Sequence, residues 1–145
     1  MKTIMMKYFG IAIMMMTMIS LTSCEVEIDS WYDDDYTGDS YYQKTRDLCS
    51  RTWQESWSQD GKYYTQRLDF YENRTGRDYL RIEHRDGYVT EDTYFFDWNW
   101  DNKTQTCIRM SYGPGDVSYF ERIWLGSNYL SGLLDGTEVY FKGIR

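Results

Sequence analysis

Polar and apolar residues alternate through most of this chain with a period of two, and short turn signals break the alternation at regular intervals. Trp53 and Trp57 share one face of residues 50–58, and Asp60-Gly61 follows as a two-residue hairpin signal. Residues 62–71 put Tyr64, Leu68 and Phe70 on one face, and residues 77–85 do the same with Leu80 and Ile82. Residues 88–100 align Tyr94, Phe96, Trp98 and Trp100, and residues 104–112 align Ile108, Met110 and Tyr112. Further strands are predicted over 117–125, 129–134 and 137–142. The breaks are Glu72 to Gly76, Asp86-Gly87, Asp101 to Lys103, Gly113-Pro114-Gly115, Gly126 to Asn128 and Asp135-Gly136. Eight strands joined by short turns make an antiparallel meander, and a meander of that length closes to remove its edges. The fold class expected is all-β, an eight-stranded antiparallel up-and-down barrel. Trp53, Trp57, Phe70, Phe96, Trp98 and Trp124 are expected to fill its interior, and space opened there by small or polar residues such as Ser118 and Ser131 would make a ligand site credible.

The pattern differs before residue 46. Lys2 and Lys7 precede an uncharged stretch from Tyr8 to Leu21, of a length that suits a secretory signal and falls short of a bilayer span. Seven of the eight Met residues lie before Cys24, so the composition changes there. Leu21-Thr22-Ser23-Cys24 resembles the lipobox of bacterial lipoproteins at all four positions. The resemblance implies cleavage before Cys24, lipid on its sulfur and acylation of the new amino terminus, and several chains on one residue anchor firmly. Residues 1–23 are then the signal peptide. Residues 24–45 read as the lipidated cysteine and an acidic flexible tether, and 46–145 as the barrel domain. The acidic residues around Glu25-Val26-Glu27-Ile28-Asp29 resemble the surface-export signals of Bacteroidetes lipoproteins. The expected location is the bacterial outer membrane, facing the cell surface or the periplasm.

Of 16 basic and 23 acidic residues, the signal takes two Lys and no carboxylate, leaving 14 against 23. An acidic surface argues against nucleic acid as a partner. It argues equally against protein-mediated binding to anionic lipid. Asp33, Asp35 and Gly38 fit the spacing of a calcium loop, but Lys44 stands where the bidentate Glu is needed. No metal and no cofactor is expected. His84 is the one histidine, lies beside Glu83 and Arg85, and has no nucleophile motif near it. Glu91 and Asp92 would need to face each other across a cleft to act as acid and base. No enzymatic activity is expected. Cys49 and Cys107 either pair in an oxidising envelope or stay free, and strand parity turns Cys107 outward. A short helical turn is expected over Thr45 to Leu48. The Asn73 and Asn102 sequons carry little meaning in a bacterial chain.

The barrel region resembles the small lipocalin-like lipoproteins of Bacteroidetes. The resemblance rests on Trp53, Leu68-Asp69-Phe70 before Arg74-Thr75-Gly76, Phe96-Asp97-Trp98, Leu130-Ser131-Gly132 and Phe141-Lys142-Gly143. It implies a barrel and names no ligand. Aromatic residues make up 19% of the chain, and those near turns would ring a barrel mouth. Trp100, Tyr112, Tyr119 and Tyr129 are the candidate ligand-binding residues. The expected role is a non-catalytic binding module for a small apolar, glycan or peptide ligand. The alternative is a solid-cored interaction or inhibitor protein that docks to another envelope protein.

Overall fold

The computed structural model describes residues 38–145. The signal peptide, Cys24 and the Asp33 and Asp35 positions of the calcium reading lie outside the described residues. Eight strands follow one helix: β1 (Thr52–Gln59), β2 (Lys62–Phe70), β3 (Thr75–Glu83), β4 (Val89–Trp100), β5 (Ile108–Gly113), β6 (Asp116–Leu125), β7 (Tyr129–Leu134) and β8 (Thr137–Ile144). Each pairs antiparallel with the next, and β8 returns to β1, so the sheet is a closed up-and-down barrel. Two hairpins owe their register to adjacent residues with positive φ. Asp60 and Gly61 stand at 51° and 72°, and Asp135 and Gly136 at 48° and 84°, the backbone of a type I′ turn.

The helix α1 (Gly38–Cys49) closes the lower end of the barrel. It begins inside the segment 24–45 expected to be a flexible tether, and it is longer than the turn expected at Thr45 to Leu48. It is polar overall, and its inner stripe is mixed: Tyr41, Thr45 and Leu48, at helical spacing, with Thr45 and Leu48 buried. Tertiary hydrogen bonds hold it instead. Trp53 Nε1 donates to Leu48 O at 2.8 Å, Trp100 Nε1 to Thr45 Oγ1 at 2.9 Å, and Gln105 Nε2 to Tyr41 O at 3.0 Å.

Above the helix the interior is filled. Trp53, Leu68, Phe70, Phe96, Trp98, Ile108, Met110, Phe120, Leu130 and Phe141 form one buried cluster. Phe70 meets Phe96 and Trp98 edge-on with ring centroids 5.5 Å apart in both pairs, the geometry aromatic quadrupoles prefer.

Three expectations are corrected. Trp124 is not interior: it is 66% exposed. The register of β6 on β7 shifts between Glu121 and Trp124, where Arg122 and Ile123 oppose Gly132 alone. Arg122 takes a φ of 51° in this bulge, which passes the inward position to Ile123 and turns Trp124 out. Ser131 neighbours the inward Leu130, so it faces outward and opens no interior space. Cys107 is buried rather than outward, because β5 starts at Ile108 and not at 104. Residues 102–106 are a loop, built on Asn102 Oδ1 accepting from the backbone N–H of Thr106 and Cys107 at 3.0 and 3.1 Å.

Candidate functional site

The upper strands extend past the filled floor and carry polar side chains inward. Period-two alternation puts Glu55 and Trp57 of β1, Gln66 and Tyr64 of β2, and Asp78, Leu80 and Ile82 of β3 on the inner face. A polar layer results. Gln66 Nε2 donates to Asp78 Oδ1 at 3.0 Å, and Tyr112 Oη donates to Asp78 Oδ2 at 3.0 Å. Asp78 is 2% exposed and Gln66 3%. Burial, and then the charge and hydrogen bond of Asp78, hold the Tyr112 phenol well above its ordinary pKa, with Asp135 and Asp116 adding to the effect. Tyr112 therefore stays a neutral donor. Ser118 Oγ donates to Asp135 Oδ2 at 2.6 Å beside this layer. A second apolar tier lies above it. Tyr64, Leu80 and Ile82 are buried there, and Trp57 stacks on Tyr64 with centroids 5.1 Å apart and planes 2° apart. The interior reads, from the helix upward, as apolar floor, acidic middle and aromatic-aliphatic rim.

No family model, curated protein or solved structure matches the chain.

The four candidate ligand-binding residues do not converge. Tyr112 belongs to the acidic layer. Trp100 lies in the floor against α1, with Lys44 Nζ 5.6 Å from its ring centroid. Tyr119 alternates with the buried Ser118 and Phe120, so it lies on the outer wall. Tyr129 is on the outer wall too, where its hydroxyl accepts from Trp124 Nε1 at 2.6 Å. Asp78 and Gln66 were not singled out in the sequence. The available signal was parity, since both lie on the face of otherwise apolar strands.

His84 packs against Tyr88 at a centroid distance of 5.4 Å in the β3–β4 turn. Glu91 accepts from Tyr79 Oη at 2.7 Å. Adjacent in one strand, Glu91 and Asp92 point to opposite faces and do not confront each other. Among the described residues no group of three or more His, Cys, Asp or Glu is arranged to hold a metal ion. Asn73 and Asn102 are turn builders: Asn73 Oδ1 accepts from Thr75 N at 3.1 Å and from Thr75 Oγ1 at 2.7 Å. Cys49 is a free thiol, so the Cys49–Cys107 disulfide is not formed. Cys107 is disulfide-bonded.

Proposed function

We propose that this chain is a lipid-anchored envelope lipoprotein whose barrel is a non-catalytic binding module, open to ligand at the end opposite α1. The observation that carries the reading is the acidic layer between two apolar tiers. Removing a carboxylate from water costs several kcal/mol, and a barrel that needed only a filled interior would do as well with an apolar side chain there. Asp78, presented with Gln66 and Tyr112, suits a small ligand with hydrogen-bond donors or a cationic amine. Trp57, Tyr64, Leu80 and Ile82 would hold its apolar body.

The filled floor favours a second reading, a solid barrel that docks to another envelope protein through its outer surface. Native mass spectrometry of the full protein, extracted from the cells that make it, separates the two. The binding module carries a defined small molecule that is lost on unfolding and depleted by Asp78→Asn and by Trp57→Ala. A protein that comes out empty, or a ligand indifferent to both substitutions, would sink the interior site.

The anchor is tested on the same material. Cys24→Ala is expected to move the protein from the membrane to the soluble fraction. A sulfur in a lipid thioether cannot also form a disulfide. Acyl mass on a peptide beginning at Cys24 supports the anchor, and a Cys24–Cys107 peptide found without reduction refutes it.

A further inference from the structure

The outer face of β6, β7 and β8 carries a fixed run of aromatic rings. Trp124 is 66% exposed and Tyr140 is 59% exposed. Trp124 Nε1 donates to Tyr129 Oη, and Tyr129 stacks on Tyr140 with centroids 5.7 Å apart and planes 10° apart. With its N–H already satisfied, the indole offers solvent its face rather than a donor. The register places Ser131 between Trp124 and Tyr140 on adjacent strands. The row therefore reads ring, hydroxyl, ring, across two strand spacings of about 10 Å in total.

Beside that row lies a cleft of about 480 Å³ whose lining includes the outward Ser131, Leu133, Glu138 and Tyr140, the bulge residue Arg122, and the inner-face residues Glu55 and Val139. The Tyr140 ring bounds one side of it, with the aromatic row continuing beyond. The Arg122 guanidinium and the Glu55 and Glu138 carboxylates stand with it. The combination fits the two faces of a pyranose ring: C–H bonds that pack on an aromatic ring, and neighbouring hydroxyls that both donate and accept. A purely apolar ligand would leave Arg122 and Glu138 unused, and a polyanion would meet Glu138 on an acidic protein.

The bulge connects these features. Arg122 holds a left-handed φ of 51° that a non-glycine residue adopts at a cost. Without the extra residue, Trp124 would turn inward and Arg122 would leave the cleft rim. One strained position thus supplies both the exposed indole and the cationic wall. Bulges that re-aim side chains recur beside binding sites.

We propose that this cleft, beside the outer aromatic row, is a second binding site, separate from the Asp78 layer, that takes a neutral glycan chain. The test is isothermal titration of the full protein in a detergent without a sugar headgroup. The probes are neutral hexasaccharides: α- and β-linked glucose, mannose, xylose and N-acetylglucosamine. At least one series is expected to bind and to shift the tryptophan fluorescence. Tyr140→Ala or Trp124→Ala each weakens that binding about tenfold. Glu138→Gln, which keeps the shape and removes the charge, weakens it too, while Trp57→Ala in the interior leaves it unchanged. Absence of binding across all the series overturns the proposal. So does affinity that survives both aromatic substitutions in variants that melt like the parent.

Discussion

Burial pushes the Cys49 thiol up to about 11, with the negative charge of Glu72 raising it further and Arg74 opposing. The thiolate is the reactive form, so at pH 8 native Cys49 should alkylate about a hundredfold more slowly than an ordinary thiol. Peptide mapping after timed iodoacetamide treatment checks this, with urea-unfolded protein as the fast reference. Equal rates in both states would remove the burial argument. Asp78 illustrates what a sequence discloses about single residues. Its parity with Leu80 and Ile82 is legible, so its inward direction follows from the alternation alone. Its donors are less legible: Gln66 lies diagonally across the β2–β3 hairpin, whose register follows from the long turn between them, and Tyr112 comes from β5, two strands away, so its approach depends on how the barrel curls. The same limit applies to Thr45 and Gln105. Neither shows a pattern in the sequence, yet both hold α1 to the barrel end.

At the scale of elements, all eight strands were legible because turn chemistry and alternation agree in this chain. Asp60-Gly61 and Asp135-Gly136 specify their hairpins by the backbone they permit. The bulge in β6 was not legible, since Phe120 to Trp124 reads as uninterrupted alternation with Trp124 inward. What forces the shift is the partner strand. Gly132 stands at a φ of 157°, and a Cβ there would lie 2.5 Å from the Glu121 carbonyl oxygen. Arg122 and Ile123 can bulge only against a residue with no side chain. Gly132→Ala should therefore destabilise the protein by about 2 kcal/mol and disturb the outer aromatic row together with it. Urea titration measures the first effect, and Trp124 fluorescence the second. A substitution that leaves both untouched would mean that β7 tolerates the shifted register without glycine.

Across the whole molecule the barrel is divided rather than uniform, packed solid near α1 and polar above. That division makes its alkaline limit predictable. The Tyr112 phenol is held up by burial and by Asp78, and the Tyr79 phenol by burial and by its hydrogen bond to Glu91. Each keeps its proton more tightly when folded than when unfolded. The stability this contributes is complete below the ordinary tyrosine value of 10.0 and is lost as pH rises above it through the folded values. Thermal melts from pH 8 to pH 12 should fall beyond about pH 10, and Tyr112→Phe should flatten part of that fall. An unchanged slope in the variant would place the alkaline limit elsewhere. The barrel and most of its inner face were thus readable from residue order. The split of its interior was not, because it depends on which side chains meet across the closed ring.

Closure rests on a narrow seam. β1 meets β8 through Thr52 with Ile144, Trp53 with Gly143, and Gln54 with Lys142, so the ring is sealed by pairs drawn from opposite ends of the domain. Every other pairing joins neighbours in the sequence and can form as the chain emerges. The seam cannot. Trp53 has no wall on one side until Gly143 arrives, so the floor stays wet while the last strand is in transit. A chain translocated amino terminus first would stay an open, unlatched meander for nearly its whole passage. It would become a barrel in one late event, after it has cleared the pore.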